Sequence, residues 1–110
     1  MKRETTVATC VGLNHLTAPV EEREKLAFSP QELPAVLASI GGRIAGAVIL
    51  STCNRTELYA TGSGDPAEGR RLIELLIKEK GADVDASRFY FLRHDEAVRH
   101  LFRVAAGIES

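Results

Sequence analysis

The chain has no tryptophan, only two cysteines and 5% aromatic residues among its 110 positions. With so few rings, the core has to be built from Leu, Ile, Val and Ala. Cys10 and Cys53 are too few for a zinc site, and no C-x-x-C spacing exists. Two thiols without a leader-like N-terminus read as a protein of a reducing compartment, which predicts the cytoplasm, or an equivalent organelle interior in a eukaryote. Long apolar runs are missing: none approaches the ~20 residues a membrane helix needs. An excess of charge is missing too. The formal net charge is -1, which argues against a module living on bulk attraction to nucleic acid. Arg88, Arg93, Arg99 and Arg103 gather near the C-terminus, but Asp95, Glu96 and Glu109 are interspersed, as on a solvated helix face. A glycine-rich phosphate loop is also lacking. Gly62-Ser63-Gly64 has neither the further glycine nor the strand context of a dinucleotide fingerprint, so a redox reaction would need its cofactor bound elsewhere.

What is present is ordinary for one globular domain covering residues 1–110, with 45% hydrophobic and 26% charged residues. Thr6 to Asn14 reads as a first strand and Val20 to Ala27 as a short helix. Ser29-Pro30-Gln31-Glu32 is a capping box, with the following helix stopping at Gly41-Gly42. Pro34 slides its start toward Glu32. The apolar run Ala45 to Thr52 is a second strand, joined to a third, Glu57 to Thr61, by a turn over residues 53–56. Asp65-Pro66-Ala67-Glu68 predicts another capping box, opening a helix with Leu72, Ile73, Leu76 and Ile77 on one face and an end at Gly81. Arg88 to Arg93 is a fourth strand. Asp95 caps a last helix whose apolar stripe is Val98, Leu101, Phe102, Ala105 and Ile108.

This order predicts an α+β fold: a ferredoxin-like split βαβ antiparallel sheet, helices on one face, and an additional C-terminal helix. The second strand then lies at an edge although it is the most apolar, so a cover is expected, from the final helix or from another domain.

Cys53 is the most informative residue. A buried strand delivers it to a polar rim, Ser51-Thr52-Cys53-Asn54-Arg55-Thr56-Glu57. It is either a small buried apolar group or a reactive thiol. In the second case Arg55 lowers its pKa and turn N–H groups stabilise an oxyanion. Cys10, inside the first strand with no charged neighbour, reads as inert core. His15 and His94 read as loop or capping residues. His100 points away from the apolar stripe of its helix, toward solvent or a cleft.

Three segments resemble one family. Gly12-Leu13-Asn14-His15-Leu16-Thr17-Ala18-Pro19-Val20 is similar to the N-terminal signature of the glutamyl-tRNA reductases. Leu50 to Tyr59 resembles their cysteine motif, and Ala97 to Ser110 their next block. The resemblance implies an oxidoreductase that converts glutamyl-tRNA to glutamate-1-semialdehyde with NADPH, in tetrapyrrole biosynthesis, through a cysteine thioester. Cys53 matches the nucleophile. Arg55 would pair with the substrate's side-chain carboxylate. Thr52 and Asn54 belong to the same substrate-binding motif, and Ser110 matches a second substrate contact. His100 matches a histidine that transfers protons or orients substrate; His15 lies in a motif without an assigned role. The resemblance further implies a homodimeric parent enzyme that passes its product to the downstream aminomutase, with no metal and no membrane. The NADPH-binding and dimerisation domains lie outside this stretch, so the chain is expected to be an N-terminal catalytic domain competent for acyl transfer alone. On an unbroken helix His100 and Ser110 would be ~15 Å apart, so a break is predicted near Gly107. The rival reading is a non-catalytic ferredoxin-like module binding RNA or a small ligand, with Phe89-Tyr90-Phe91 as a stacking surface.

Overall fold

The computed structural model describes residues 7–107, apart from the side chain of Ala45. Thr6, Ile108 and Ser110 therefore lie outside the described residues. Four strands, β1 (Val7–Asn14), β2 (Ala45–Ser51), β3 (Arg55–Gly62) and β4 (Tyr90–Arg93), form one sheet in the order β2-β3-β1-β4. Every neighbouring pair is antiparallel. The helices are α1 (Val20–Leu26), α2 (Leu33–Gly41), α3 (Pro66–Lys80) and α4 (Asp95–Ala105), and a 3-10 turn spans Ala86–Arg88. The described residues thus form a small α+β fold with a four-stranded antiparallel sheet and four helices.

Strand side chains alternate between faces, and each face here has its own cover. On one face Val11, Ile49, Leu58 and Ala60 meet Val36 and Ile40 of α2 and Leu72, Ile73 and Leu76 of α3. Leu13 extends this core onto Ala18 and Leu26. On the opposite face Cys10 and Tyr59 pack against Ala97 of α4.

The last helix is where expectation and structure part. The apolar stripe does not face the core: Val98 is 42% and Phe102 69% exposed, and Leu101 is exposed too. Ala97, His100 and Val104 turn inward instead. The reason is the surface α4 meets. That face presents Glu57, Tyr59 and Tyr90, so a polar His100 is the matching side chain and the apolar stripe is left outside. α4 packs chiefly on β1 and β4. The β2 edge is irregular, with a register shift between Ala45 and Val48 and Gly46 at φ 57, a bulge of the kind that blunts exposed edges.

Caps explain the helix positions. Ser29 and Glu32 exchange the predicted reciprocal bonds, 2.9 Å from Ser29 N–H to Glu32 Oε1 and 3.3 Å from Glu32 N–H to Ser29 Oγ, although the regular helix starts at Leu33. The second predicted box does not form. Asp65 makes no side-chain cap, and Glu68 instead accepts from the N–H groups of Ser63 and Gly64 at 3.0 and 3.1 Å. A carboxylate satisfying two loop donors competes successfully with one satisfying a single helix N–H. Gly81, left-handed at φ 67, ends α3 as predicted. His94, not Asp95, precedes α4, at φ 57 and ψ -134. A non-glycine residue there is strained, and this sharp reversal turns the chain from β4 onto the sheet face. α4 ends at Ala105 and Gly107 is left-handed at φ 78, which is the predicted break.

Candidate active site

β2 and β3 are joined by Thr52, Cys53 and Asn54, and the turn is closed from within. Thr52 N–H donates to the Arg55 carbonyl at 2.8 Å, and Asn54 N–H to Thr52 Oγ1 at 3.2 Å. These two amides are therefore engaged inside the turn, not aimed at an oxyanion beside Cys53. From α1, Arg23 Nε donates to the Cys53 carbonyl at 3.3 Å and its NH1 to the Ala18 carbonyl at 2.8 Å, which ties the turn to the first helix. The thiol of Cys53 is exposed. It sits on a cavity of about 390 Å³ lined by Leu50, Thr52, Cys53, Asn54, Arg55, Leu101, Val104 and Ala105. Four of the residues singled out from sequence, Thr52, Cys53, Asn54 and Arg55, thus share one concave surface.

Cys10 behaves as expected of inert core. It is fully buried, and its thiol pKa is pushed far up, first by burial and then by the negative charge of Glu57.

The unforeseen feature is Glu57, a carboxylate with no exposed surface. Its Oε1 accepts from Tyr59 OH at 2.7 Å. Its Oε2 accepts from Arg55 NH1 at 3.2 Å, pairs with His100 Nε2 at 2.5 Å, and accepts from the Tyr90 hydroxyl. Register explains the gathering. Arg55, Glu57 and Tyr59 alternate along β3 and so share a face. Gly12 lies opposite Glu57 on one side and Tyr90 on the other. With no side chain at Gly12, the hydroxyl of Tyr90 reaches across it. Burial alone would raise the pKa of Glu57, but hydrogen bonds from Tyr90, Tyr59 and His100, with the charge of His100, outweigh burial and lower it. The two tyrosines move the other way: burial and the adjoining carboxylate hold both phenols protonated.

This network redraws two predicted roles. Arg55 is almost fully buried and ion-paired with Glu57, so its charge is largely balanced before it can act on the Cys53 thiol. His100 is turned to the sheet and Glu57, opposite to its predicted direction, and is not among the residues lining the Cys53 cavity. His15 is exposed, and the loop holding it is organised by Asn14, whose Oδ1 accepts from Leu16 and Thr17 N–H. Sequence reasoning gave no site role to Glu57, Tyr59 or Arg23, and took Tyr90 only as part of a stacking surface. The signal for the first two was the polar alternation Arg55-x-Glu57-x-Tyr59 in a strand whose other residues are apolar or small.

Two groups can be tested for fit. Donor atoms of Cys10, Glu57 and His100 lie within 4.8 Å of one another, a thiol, carboxylate and imidazole set of the type zinc accepts. An ion there would have to displace hydrogen bonds that already occupy Glu57, stand beside the Arg55 cation, and strip a strongly held proton from Cys10. Nor does the Gly62-Ser63-Gly64 loop suit a dinucleotide. The loop amides at Ser63 and Gly64 that would face a pyrophosphate are taken by the Glu68 carboxylate, which would repel it. No described helix is long and apolar enough to cross a membrane.

Comparison with known proteins bears on the same residues. The family profile described as glutamyl-tRNAGlu reductase, N-terminal domain, matches residues 11–110. The glutamyl-tRNA reductase of Stenotrophomonas maltophilia (strain K279a) is 46% identical over 104 residues, 91% of this chain and 22% of that protein. That of Heliobacterium mobile is 44% identical over 105 residues, 91% of this chain and 24% of that protein. The solved structure of glutamyl-tRNA reductase from Methanopyrus kandleri matches with a TM-score of 0.69 and 38% identity, over 94% of this chain and 23% of that one. The chain spans less than a quarter of the length of these relatives.

Proposed function

The chain belongs to the family of glutamyl-tRNA reductase N-terminal domains, and on that premise we propose that it takes the glutamyl group of glutamyl-tRNA onto Cys53 as a thioester. The observation that carries this reading is the exposed Cys53 thiol on a cavity shared with Thr52, Asn54 and Arg55. In this step Cys53 Sγ loses its proton and attacks the ester carbonyl carbon. The tetrahedral intermediate collapses, the bond from that carbon to the terminal ribose oxygen breaks, and that oxygen leaves with a proton. The glutamyl group remains on sulfur. Arg55, in the cavity wall and paired with Glu57, is the cation for the substrate's side-chain carboxylate. Thr52 and Asn54 form the rim around the nucleophile, and Ser110, outside the described residues, is the second substrate contact. His100 serves proton transfer or orientation. NADPH is left to other parts of the longer enzyme, a reading supported by the engagement of the Ser63 and Gly64 amides with Glu68.

The same reading includes the ferredoxin-like split βαβ topology, in which β1 and β2 are separated in the sheet by β3, and β3 and β4 by β1. The RNA-stacking alternative loses its surface: Phe89 and Phe91 pack against the α2–α3 core and Tyr90 is bonded to Glu57.

The test is transfer of labelled glutamate from glutamyl-tRNA to the protein. Label should become protein-bound with the wild type and stay on tRNA with Cys53→Ser. Equal labelling of both would defeat the proposal.

A further inference from the structure

We propose that Glu57 is a positioning residue, a buried anion that fixes His100 as the tautomer protonated at Nε2, leaving Nδ1 as the basic nitrogen of the ring, and holds Arg55 at the Cys53 turn. Its kinetic half rests on the reading of Cys53 as acyl acceptor; its structural half does not.

The argument is one of donors and acceptors. Glu57 has no exposed surface, so water cannot complete its hydrogen bonding. Tyr59, Tyr90 and Arg55 all reach it through O–H or N–H groups. An ionised carboxylate accepts only, so each of its partners has to donate, whether to Oε1 as Tyr59 does or to the crowded Oε2. The fourth partner is His100 Nε2, at 2.5 Å. That nitrogen must therefore carry a proton, so whenever the ring is neutral its only base is the Nδ1 lone pair. The ring is held from a second side as well. Tyr90 stands against it edge-on, with centroids 5.6 Å apart and planes at 65°. Arg55, Glu57 and Tyr90 lie on β3 and β4 while His100 lies on α4, so the carboxylate joins the helix to the strand that carries the cysteine turn. A carboxylate orienting an imidazole and selecting its tautomer is a known way to prepare a general base. Glu57 does not itself line the cavity and acts through His100 and Arg55.

The experiment reads histidine ring ¹⁵N shifts of the 110-residue chain, taken upward in pH until the His100 ring is neutral. Protonation at Nε2 is expected; a neutral ring protonated at Nδ1 overturns the proposal, and this needs no variant. Glu57→Gln then replaces an all-acceptor group with one that is half donor. The expected result is a mixture of tautomers, with glutamyl transfer to Cys53 slowed by about tenfold or more and an altered pH profile. An unchanged tautomer, or transfer at the wild-type rate and pH profile, overturns it. If Glu57→Gln does not fold, the wild-type tautomer decides. If the wild type transfers no glutamate, it is the Cys53 reading that fails, and the tautomer still decides the role of Glu57.

Discussion

A methyl group added at Gly12 would sit 2.6 Å from the Thr56 carbonyl oxygen, 2.8 Å from Cγ of Glu57 and 3.1 Å from its Cα. Gly12 is buried in a strand flanked on both sides by hydrogen-bonded neighbours. The methyl group meets backbone rather than a flexible side-chain end, so β1 or β3 has to give way. Overpacking of this kind costs about 1–3 kcal/mol. Displacing Glu57 also strains its bonds to Tyr90 and His100, for about 1–3 kcal/mol more. The lower chain entropy of unfolded alanine offsets about 0.4–1 kcal/mol. Gly12→Ala is thus expected to destabilise the domain by about 3 kcal/mol, within a range of about 1–5.5. With a urea slope of about 1–3 kcal/mol per M, the unfolding midpoint should fall by on the order of 1–2 M, followed by circular dichroism. Gly41→Ala is the control: nothing lies within 4 Å of its added methyl, it closes α2, and a gain of a few tenths to ~1 kcal/mol is expected. A loss below about 0.5 kcal/mol for Gly12→Ala, the scale of a neutral surface change, would refute the claim that Gly12 makes room for Glu57.

Native-state alkylation followed by peptide mapping should modify Cys53 and spare the buried Cys10, which becomes reactive only on unfolding; comparable rates at both would contradict the burial. Glu32 bonds Lys80 at 2.8 Å, and with Ser29 this lowers its pKa to about 2. Because the folded value is depressed, its stabilising effect is complete above the ordinary value near 4.5 and disappears as pH falls toward about 2. A carboxyl titration by NMR should show this, and in Lys80→Met the value should rise toward the ordinary one. Phe102→Ser should change stability by less than about 0.5 kcal/mol, since Phe102 is 69% exposed; a loss of several kcal/mol would mean the apolar stripe of α4 is buried after all.

Much of the architecture was legible because local signals were strong. The apolar run before Cys53, the Ser29–Glu32 exchange and the glycine at the end of α3 each rest on short-range chemistry. What was not legible depended on distant partners. Glu68 formed no capping box because a loop before its helix offered two amides at once. His100 was read outward because helical periodicity counts apolar residues, whereas the face it meets is polar. That face exists because Arg55, Glu57 and Tyr59 alternate on β3, Gly12 leaves space on β1, and the strained His94 delivers α4 from the far edge of the sheet. The cysteine motif announced Cys53, Thr52, Asn54 and Arg55 together, and the cavity does bring those four together. Burial of Arg55 against Glu57 needed the third dimension.

The claim that matters most is that Cys53 accepts an acyl group. After incubation with glutamyl-tRNA, the protein can be digested and its peptides mapped by mass spectrometry, with and without hydroxylamine, which cleaves thioesters. The account predicts a hydroxylamine-labile glutamyl group on the peptide containing Cys53 and none on the peptide containing Cys10. A glutamyl group on any other residue, or none on a folded wild-type protein, would contradict it.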